Sequence, residues 1–417
     1  MLDVLRNSWA LLLGMLFLML GNGLQSSLVG IRGPEAGFSA FSMSVIMSAY
    51  FAGFLVASRV TPDMIRRVGH VRVFAALGSL VSAVLILLPA FRDPIAWTLG
   101  RVVIGFCFCG VYVTAESWLN NSASNENRGK ALSLYMIVQM GGVIAAQGLL
   151  VVPDASGYLL FIIPSVLVSI AFAPILLSIT PTPAFETTQP MTLRQLYTVS
   201  PLGCVGLFLL GGVFAAQFGM SAVYGAQAGL SLAQISLFVA AFYVGALVLQ
   251  YPLGWISDRM DRRQLIFAVA AAGGAGAVLA IVAGGVFEIL LVSAFLVGGC
   301  SNPLYSLLLA YTNDFLEVDD MASASAGLLF INGLGAIAGP LIIGWAMGSL
   351  GPWGYWLLVA VLLCGLAVYA LYRMTQRPAP AVEDTGIYTP LSPTTTPVAV
   401  EVAQEFAIEA AEDEEAA

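Results

Sequence analysis

The sequence predicts an all-α membrane protein: twelve transmembrane helices in two pseudo-symmetric six-helix bundles. Three observations predict it, namely the composition, a series of apolar runs of spanning length, and a repeat between the two halves of the chain. Of the 417 residues, 59% are hydrophobic and only 10% charged, with a mean hydropathy of +0.90. Soluble globular chains are about 25% charged, so this chain lacks the polar surface that water would require.

A helix needs about 20 apolar residues to cross the hydrocarbon core. Runs bounded by charged residues or Pro/Gly breaks give twelve such spans, near 8–30, 42–61, 71–90, 95–118, 130–151, 158–179, 201–226, 234–256, 264–285, 288–312, 323–349 and 353–373. The first follows Arg6 as a signal peptide would, but its apolar run is too long and lacks a clear small-residue cleavage site, so it counts as a span. Residues 1–179 form the N-terminal bundle and 200–373 the C-terminal bundle. Pro181, Pro183 and Pro190 mark 180–199 as a linker between them.

Cationic side chains orient the stack. With a cytoplasmic N-terminus, the inner loops and helix ends hold Arg6, Arg59, Arg66, Arg67, Arg72, Arg128, Lys130, Arg194, Arg259, Arg262, Arg263, Arg373 and Arg377, and the outer loops only Arg32 and Arg92. Basic residues concentrate on the cytoplasmic side of membrane proteins. Both termini are therefore expected in the cytoplasm, with the chain in a bacterial inner membrane. Residues 374–417 carry nine acids against Arg377, which accounts for the entire net charge of −8. With five prolines beyond that arginine before Val398, this tail reads as acidic, cytoplasmic and disordered, with weak docking on the basic inner loops as the alternative.

Several functions are excluded. A chain with one lysine and a net charge of −8 is not a nucleic-acid binder. Cys107, Cys109, Cys204, Cys300 and Cys364 all lie inside apolar runs, which suits neither a disulfide framework nor a metal cluster. His70 is the sole histidine, so hydrolase chemistry has little to work with and no enzyme activity, cofactor or metal is expected. Gly273-Gly274-Ala275-Gly276 and Gly335 to Gly339 follow no strand, so they read as close-packing helix surfaces rather than nucleotide loops. Without a P-loop, ATP-driven pumping is not expected.

The halves repeat. Tyr50-Phe51-Ala52-Gly53-Phe54-Leu55-Val56 matches Phe242-Tyr243-Val244-Gly245-Ala246-Leu247-Val248 at an offset of 192, which also sets Arg66-Arg67 against Asp258-Arg259. At an offset of 195, Asn22 meets Gln217 and Ser26 meets Ser221. Internal duplication is a feature of secondary transporters, whose sites lie between repeats near the bilayer midplane.

Gly254-Trp255-Ile256-Ser257-Asp258-Arg259-Met260-Asp261-Arg262-Arg263 resembles the G-x-x-x-D-R-x-G-R-R loop signature of the major facilitator superfamily, with Asp261 in place of the usual glycine. Arg101-Val102-Val103-Ile104-Gly105 resembles the family's R-x-x-x-G motif. Ala115-Glu116-Ser117-Trp118-Leu119 with Asn127-Arg128-Gly129-Lys130 is similar to a poorly characterised bacterial group, the YcaD-like transporters. The resemblance covers about residues 5–373. It implies two bundles rocking about a central cavity built from spans one, four, seven and ten. It also implies a cytoplasmic gate formed by Gly254, Asp258, Arg259, Arg262 and Arg263, with Arg66 and Arg67 in a degenerate first-half copy. Asp258 is then expected to latch onto the start of span five, near Arg128-Gly129-Lys130. Span five lacks the family's glycine-proline exporter signature, which speaks against drug antiport.

Arg101 is the first candidate for the site, because an arginine at mid-membrane costs about 2.5–3.5 kcal/mol and normally faces a cavity or water. It either binds an anionic group or tunes a proton site, or else snorkels to the membrane boundary. Glu116 lies fifteen residues on, about 22 Å along the same helix, too far for a direct pair. It is either a proton carrier or a partner for Arg59, Arg66 and Arg67. Tyr112 shares its face. Asn22 and Gln25 in span one, Gln217 and Tyr224 in span seven, and Asn302 and Tyr305 in span ten complete the candidate cavity lining. Taken singly, such residues commonly serve as interhelical hydrogen bonds. The expectation is secondary active transport of a small organic solute by a monomer in the lipid bilayer, coupled to protons. The alternatives are an uncoupled facilitator and a non-transporting membrane sensor or scaffold that keeps the fold.

Overall fold

A computed structural model of the chain describes residues 2–122, 128–151, 158–176, 191–316, 318–376, 388–391 and 396. The first bundle comprises α1 (Leu2–Glu35), α2 (Ala40–Val68), α3 (His70–Leu87), α4 (Pro94–Ser122), α5 (Arg128–Leu149) and α6 (Leu159–Leu176). A short helix, α7 (Leu193–Val199), lies in the linker, of which 180–190 fall outside the described residues. The second bundle comprises α8 (Pro201–Ala215), α9 (Ser221–Gln227), α10 (Leu232–Ser257), α11 (Arg262–Ala283), α12 (Phe287–Asn313), α13 (Val318–Leu350) and α14 (Gly354–Met374). A π-helical turn, Ala216–Met220, joins α8 to α9, so span seven runs unbroken from Pro201 to Gln227. Among the described residues, eleven helices are long and apolar enough to cross a membrane, and a shorter apolar helix takes the sixth place.

Local chemistry sets where the helices begin. Ser39 caps α2 by accepting from the Ser42 amide at 3.1 Å. Ser231 and Gln234 form a reciprocal capping box at the start of α10, satisfying amides that the first helical turn leaves without partners. The tight turn from α2 into α3 passes through Gly69 at φ 85°, a left-handed conformation open to glycine without a Cβ penalty.

Packing repeats as the sequence does. In the first bundle α1 packs on α5 and α6, α2 on α4, and α3 on α4 and α6. The second bundle reproduces each pairing with its own spans: span seven on α13 and α14, α10 on α12, and α11 on α12 and α14. The shared Tyr/Phe-x-x-Gly segment explains the α2–α4 and α10–α12 crossings. A Cβ at Gly53 would run into the Val102 carbonyl, and one at Gly105 into the Tyr50 carbonyl. The repeat mates behave alike, Gly245 against the Phe295 carbonyl and Gly298 against the Phe242 carbonyl. Gly335 also packs as expected, its Cα face pressed on the Phe208 carbonyl of α8. Small residues let backbones approach in this way, and dispersion between close-packed helices then holds them together in lipid.

Across the halves, α2 meets α13 and α5 meets α10, a pair of contacts related by the repeat. Both are tied by a serine hydroxyl on a backbone carbonyl: Ser48 to Ile337 at 2.7 Å, and Ser236 to Gln147 at 2.5 Å. Ser26 bonds the Phe218 carbonyl at 2.8 Å, drawing α1 onto span seven. These contacts close the halves at the end remote from Arg66 and Arg259. At the arginine-rich end a cavity of about 560 Å³ separates α5 from α10.

Within the tail, three of the described residues pack rather than face solvent. Tyr388, Leu391 and Thr396 are buried between the bundles. Their hydrogen-bonding groups find partners on α4, α10 and α12, which composition averaged over the whole tail cannot register.

Candidate functional site

Arg101 is 0% exposed and does not reach solvent. One guanidinium nitrogen donates to Gln25 Oε1 at 2.7 Å, another approaches Met47 Sδ at 3.6 Å, and the group lies 4.7 Å from the centre of the Tyr50 ring. None of these partners is charged, and Nε has no hydrogen-bond partner among the described residues. Gln25 in turn donates to Asn22 Oδ1 at 2.9 Å, and the Asn22 amide donates to the hydroxyls of Tyr112 at 2.7 Å and Tyr50 at 3.1 Å. Three residues apart on α1, Asn22 and Gln25 share a face. Together with α2 and α4 they form one connected polar network in an apolar bundle.

The second bundle contributes less charge and fewer links. Gln217 donates to Ser301 at 2.6 Å, and Asn302 donates back to the Gly298 carbonyl at 3.1 Å. The buried Tyr305 hydroxyl has no partner among the described residues. Asn22, Tyr112, Gln139 and Asn302 surround a void of about 30 Å³ at the interface. That is room for a water molecule rather than a solute. The wide cavity expected from spans one, four, seven and ten is thus collapsed here, with Met19, Phe214 and Phe218 filling the space between the halves.

Tyr224 stands apart, stacked on Tyr355 at 5.0 Å beside Trp356 and Phe238. The spacing of Gln217, Ser221 and Tyr224 places them on one face only if the helix is α throughout. The π turn at Ala216–Met220 inserts an extra residue and breaks that phase.

Glu116 is 2% exposed near the arginine-rich end. It accepts from the Tyr135 hydroxyl at 3.1 Å, from the Thr396 amide at 3.1 Å and from the Thr396 hydroxyl. Of the cluster weighed as its partner, Arg66 pairs with Asp63, and Arg59 lies 4.1 Å from the centre of the Phe330 ring across the α2–α13 contact. Arg67 is exposed.

The signature loop is a compact electrostatic unit. Arg262 is buried and pairs with Asp314 at the end of α12, with Asp258 at 3.8 Å. Asp261, in the position the family usually gives to glycine, caps α11 by accepting the Arg263 amide at 2.9 Å and pairs with its guanidinium at 2.8 Å. Burial works to raise the Asp261 carboxyl, but the hydrogen bonds from Arg263 outweigh it and hold it below the usual carboxylate range. Arg259 lies over the Trp255 ring at 4.2 Å. Asp258 accepts the Tyr388 amide at 2.9 Å. At the start of span five, expected as its latch point, the Arg128 side chain lies outside the described residues.

Residues absent from the candidate set matter as much. Tyr50 closes the Arg101 network, Asp314 neutralises Arg262, and Gln250, Ser306, Tyr388 and Thr396 meet in the arginine-rich cleft. Tyr50 could have been found, since it opens the repeated segment. Asp314 was visible only as an acid near a span end.

Two bundles related by an internal repeat, meeting around a charged polar network at mid-span, define a membrane transporter architecture. The profile of the Major Facilitator Superfamily matches residues 11–229 and 202–401, and the chain belongs to that family. The transporters named "Uncharacterized MFS-type transporter YcaD" of Salmonella heidelberg (strain SL476) and Salmonella agona (strain SL483) are each 24% identical over 338 residues, covering 79% of this chain and 86% of theirs. Among solved structures, a mutant of the nucleoside transporter NupG superposes with a TM-score of 0.74 at 14% identity, covering 87% of this chain and 98% of that one. A mutant of the E. coli fucose:proton symporter FucP gives 0.56 at 17% identity, with 87% and 98% covered. At these identities the structural likeness concerns the fold.

Proposed function

We propose that the chain is a secondary active transporter of a small organic solute bearing an acidic or zwitterionic group, working by alternating access. The observation that carries this reading is Arg101: fully buried, joined to Gln25, Asn22, Tyr50 and Tyr112, and without a carboxylate partner among the described residues. A buried guanidinium without a counter-ion is costly, and a solute anion reaching it would supply the missing charge. Asn22, Tyr112 and Asn302 would then line the solute once the halves part.

Proton coupling is the finer part of the proposal, with Glu116 as the carrier. A buried carboxyl held only by the neutral donors of Thr396 and Tyr135, which a proton would displace, supports that role. The cationic loops support an orientation with both termini in the cytoplasm of a bacterial inner membrane, and the proposed working unit is the monomer. In that orientation the structure is closed outward, and the cleft around Gln250 and Ser133 faces inward.

The test is a thermal-shift screen of purified protein against organic acids, amino acids, sugars and nucleosides at two pH values. A ligand at 100 times its Kd raises stability by about 2.7 kcal/mol. The expected hit is anionic or zwitterionic and weakens in Arg101→Ala; a hit unaffected by that change would remove Arg101 from the site.

A further inference from the structure

The inward cleft already has an occupant, and it comes from the same chain. Tyr388 enters beside Gly254, where a Cβ would stand 2.6 Å from the tyrosine ring, so the signature glycine is what admits it. Its hydroxyl accepts from Gln250 at 2.8 Å, and its amide donates to Asp258 at 2.9 Å. Three residues on, the Leu391 amide donates to Ser306 Oγ at 2.8 Å, while its carbonyl lies 3.1 Å from that hydroxyl. Thr396 then crosses to the other bundle and places both its amide and its hydroxyl on Glu116. The second bundle is engaged through α10 and α12, the first through α4. Tyr388, Leu391 and Thr396 are 8%, 6% and 0% exposed.

We propose that residues 388–391 together with Thr396 act as a tethered ligand of the inward cleft, which hinders solute access from the inner face until it is displaced. The inference rests on the transport reading for its biological meaning, but the contacts stand apart from it. Burial of the Tyr388 phenol, beside the Asp258 carboxylate, drives its pKa upward, so the ring stays neutral while it sits there. The occupant satisfies two carboxylates, Asp258 and Glu116, with neutral N–H and O–H donors. These are the signature acid and the proposed proton carrier. A solute that enters, or a proton that reaches Glu116, must compete with these donors. A tether holds its segment near the cleft at an effective concentration on the order of millimolar, so contacts with a Kd about tenfold below that keep the site filled in nine of ten molecules.

The test measures access directly and needs no transported solute. Ser306, 1% exposed and held by the Leu391 amide, is changed to cysteine (Ser306→Cys) in the full chain, and its alkylation by a water-soluble maleimide is timed in nanodiscs. The chain without that change sets the background from the native cysteines. A cleft filled in nine of ten molecules reacts about tenfold more slowly than an open one, so removal of residues 388–417 is expected to accelerate labelling by about that factor. Thr396→Glu, which sets a second carboxylate against Glu116 in an otherwise intact chain, is expected to act in the same direction. Equal rates in the full, shortened and Thr396→Glu chains would overturn the proposal. Failure to find any transported solute, by contrast, would count against the transport reading and leave these rates unchanged.

Discussion

Gln25 holds Arg101 by a 2.7 Å hydrogen bond and passes the connection to Asn22 through the other end of the same amide. A neutral side chain thus orients a buried charge without cancelling it. An amide in this role leaves the guanidinium available to a ligand, which a carboxylate would not.

Replacing that amide separates its two effects. Gln25→Glu supplies the missing counter-charge, so it should raise thermal stability while abolishing the response to anionic solutes. Gln25→Ala leaves a buried N–H without a partner and should destabilise the fold by about 1–3 kcal/mol. Melting curves with and without solute distinguish the variants; a Gln25→Glu protein that still binds the anion would contradict the scheme.

The glycine crossings predict a matched pair. Gly53→Ala and Gly245→Ala each drive a methyl into a backbone carbonyl that has nowhere to move. Both should lower stability by about 1–3 kcal/mol, the range for overpacked sites. Gly141, with no neighbour within 4 Å of a built Cβ, is the control. There alanine should be neutral or stabilising by about 0.5–1 kcal/mol through helix propensity.

The Arg262–Asp314 pair joins α11 to α12 with both side chains 2% exposed. Removing one partner strands the other, at a cost of about 3–5 kcal/mol, so Asp314→Asn should melt well below the parent. The double change Arg262→Met with Asp314→Leu should recover most of that loss. A double variant no better than the single one would show that the pair's value lies in its further contact with Asp258.

Acid should loosen the signature loop through Asp261. Its folded-state pKa is depressed, so its contribution to stability is present above the ordinary carboxylate value of about 3.9. That contribution is lost as pH falls through the lowered folded value. Asp261→Asn should therefore melt lower than the parent at neutral pH, and the gap should close in strong acid. A gap independent of pH would assign the effect to the helix cap alone.

The legible part of the fold was whatever must obey the bilayer. Span lengths follow from apolar runs, and the α2–α4 and α10–α12 crossings follow from a repeated glycine that backbone contact demands. Arg101 stood out because its charge is expensive at that depth. The Gln25 link could not be read in advance, since it joins residues 76 apart through a rotamer choice. Tyr224 was misplaced because the π turn at Ala216–Met220 leaves no local signature in the residues around it. Tyr388 and Thr396 were hidden for another reason: their partners, Gln250, Asp258 and Glu116, lie far upstream, and the tail's proline and acid content gives no periodicity to find.

The π turn also changes how span seven can vary. Its surplus residue is absorbed in the turn that itself carries Gln217, which bonds Ser301, just before Ala222, which faces Gly30 at the closed end. Helical register is therefore set separately on the two sides of the turn, about 100° of rotation being the amount one residue contributes. Substitutions that retune the seal around Ala222 need not reorient Gln217, and those that reshape the polar centre need not disturb the seal. Span one, whose α-helix runs without a break, has no such decoupling, and a change in its register must be felt from Ser8 to Arg32 at once.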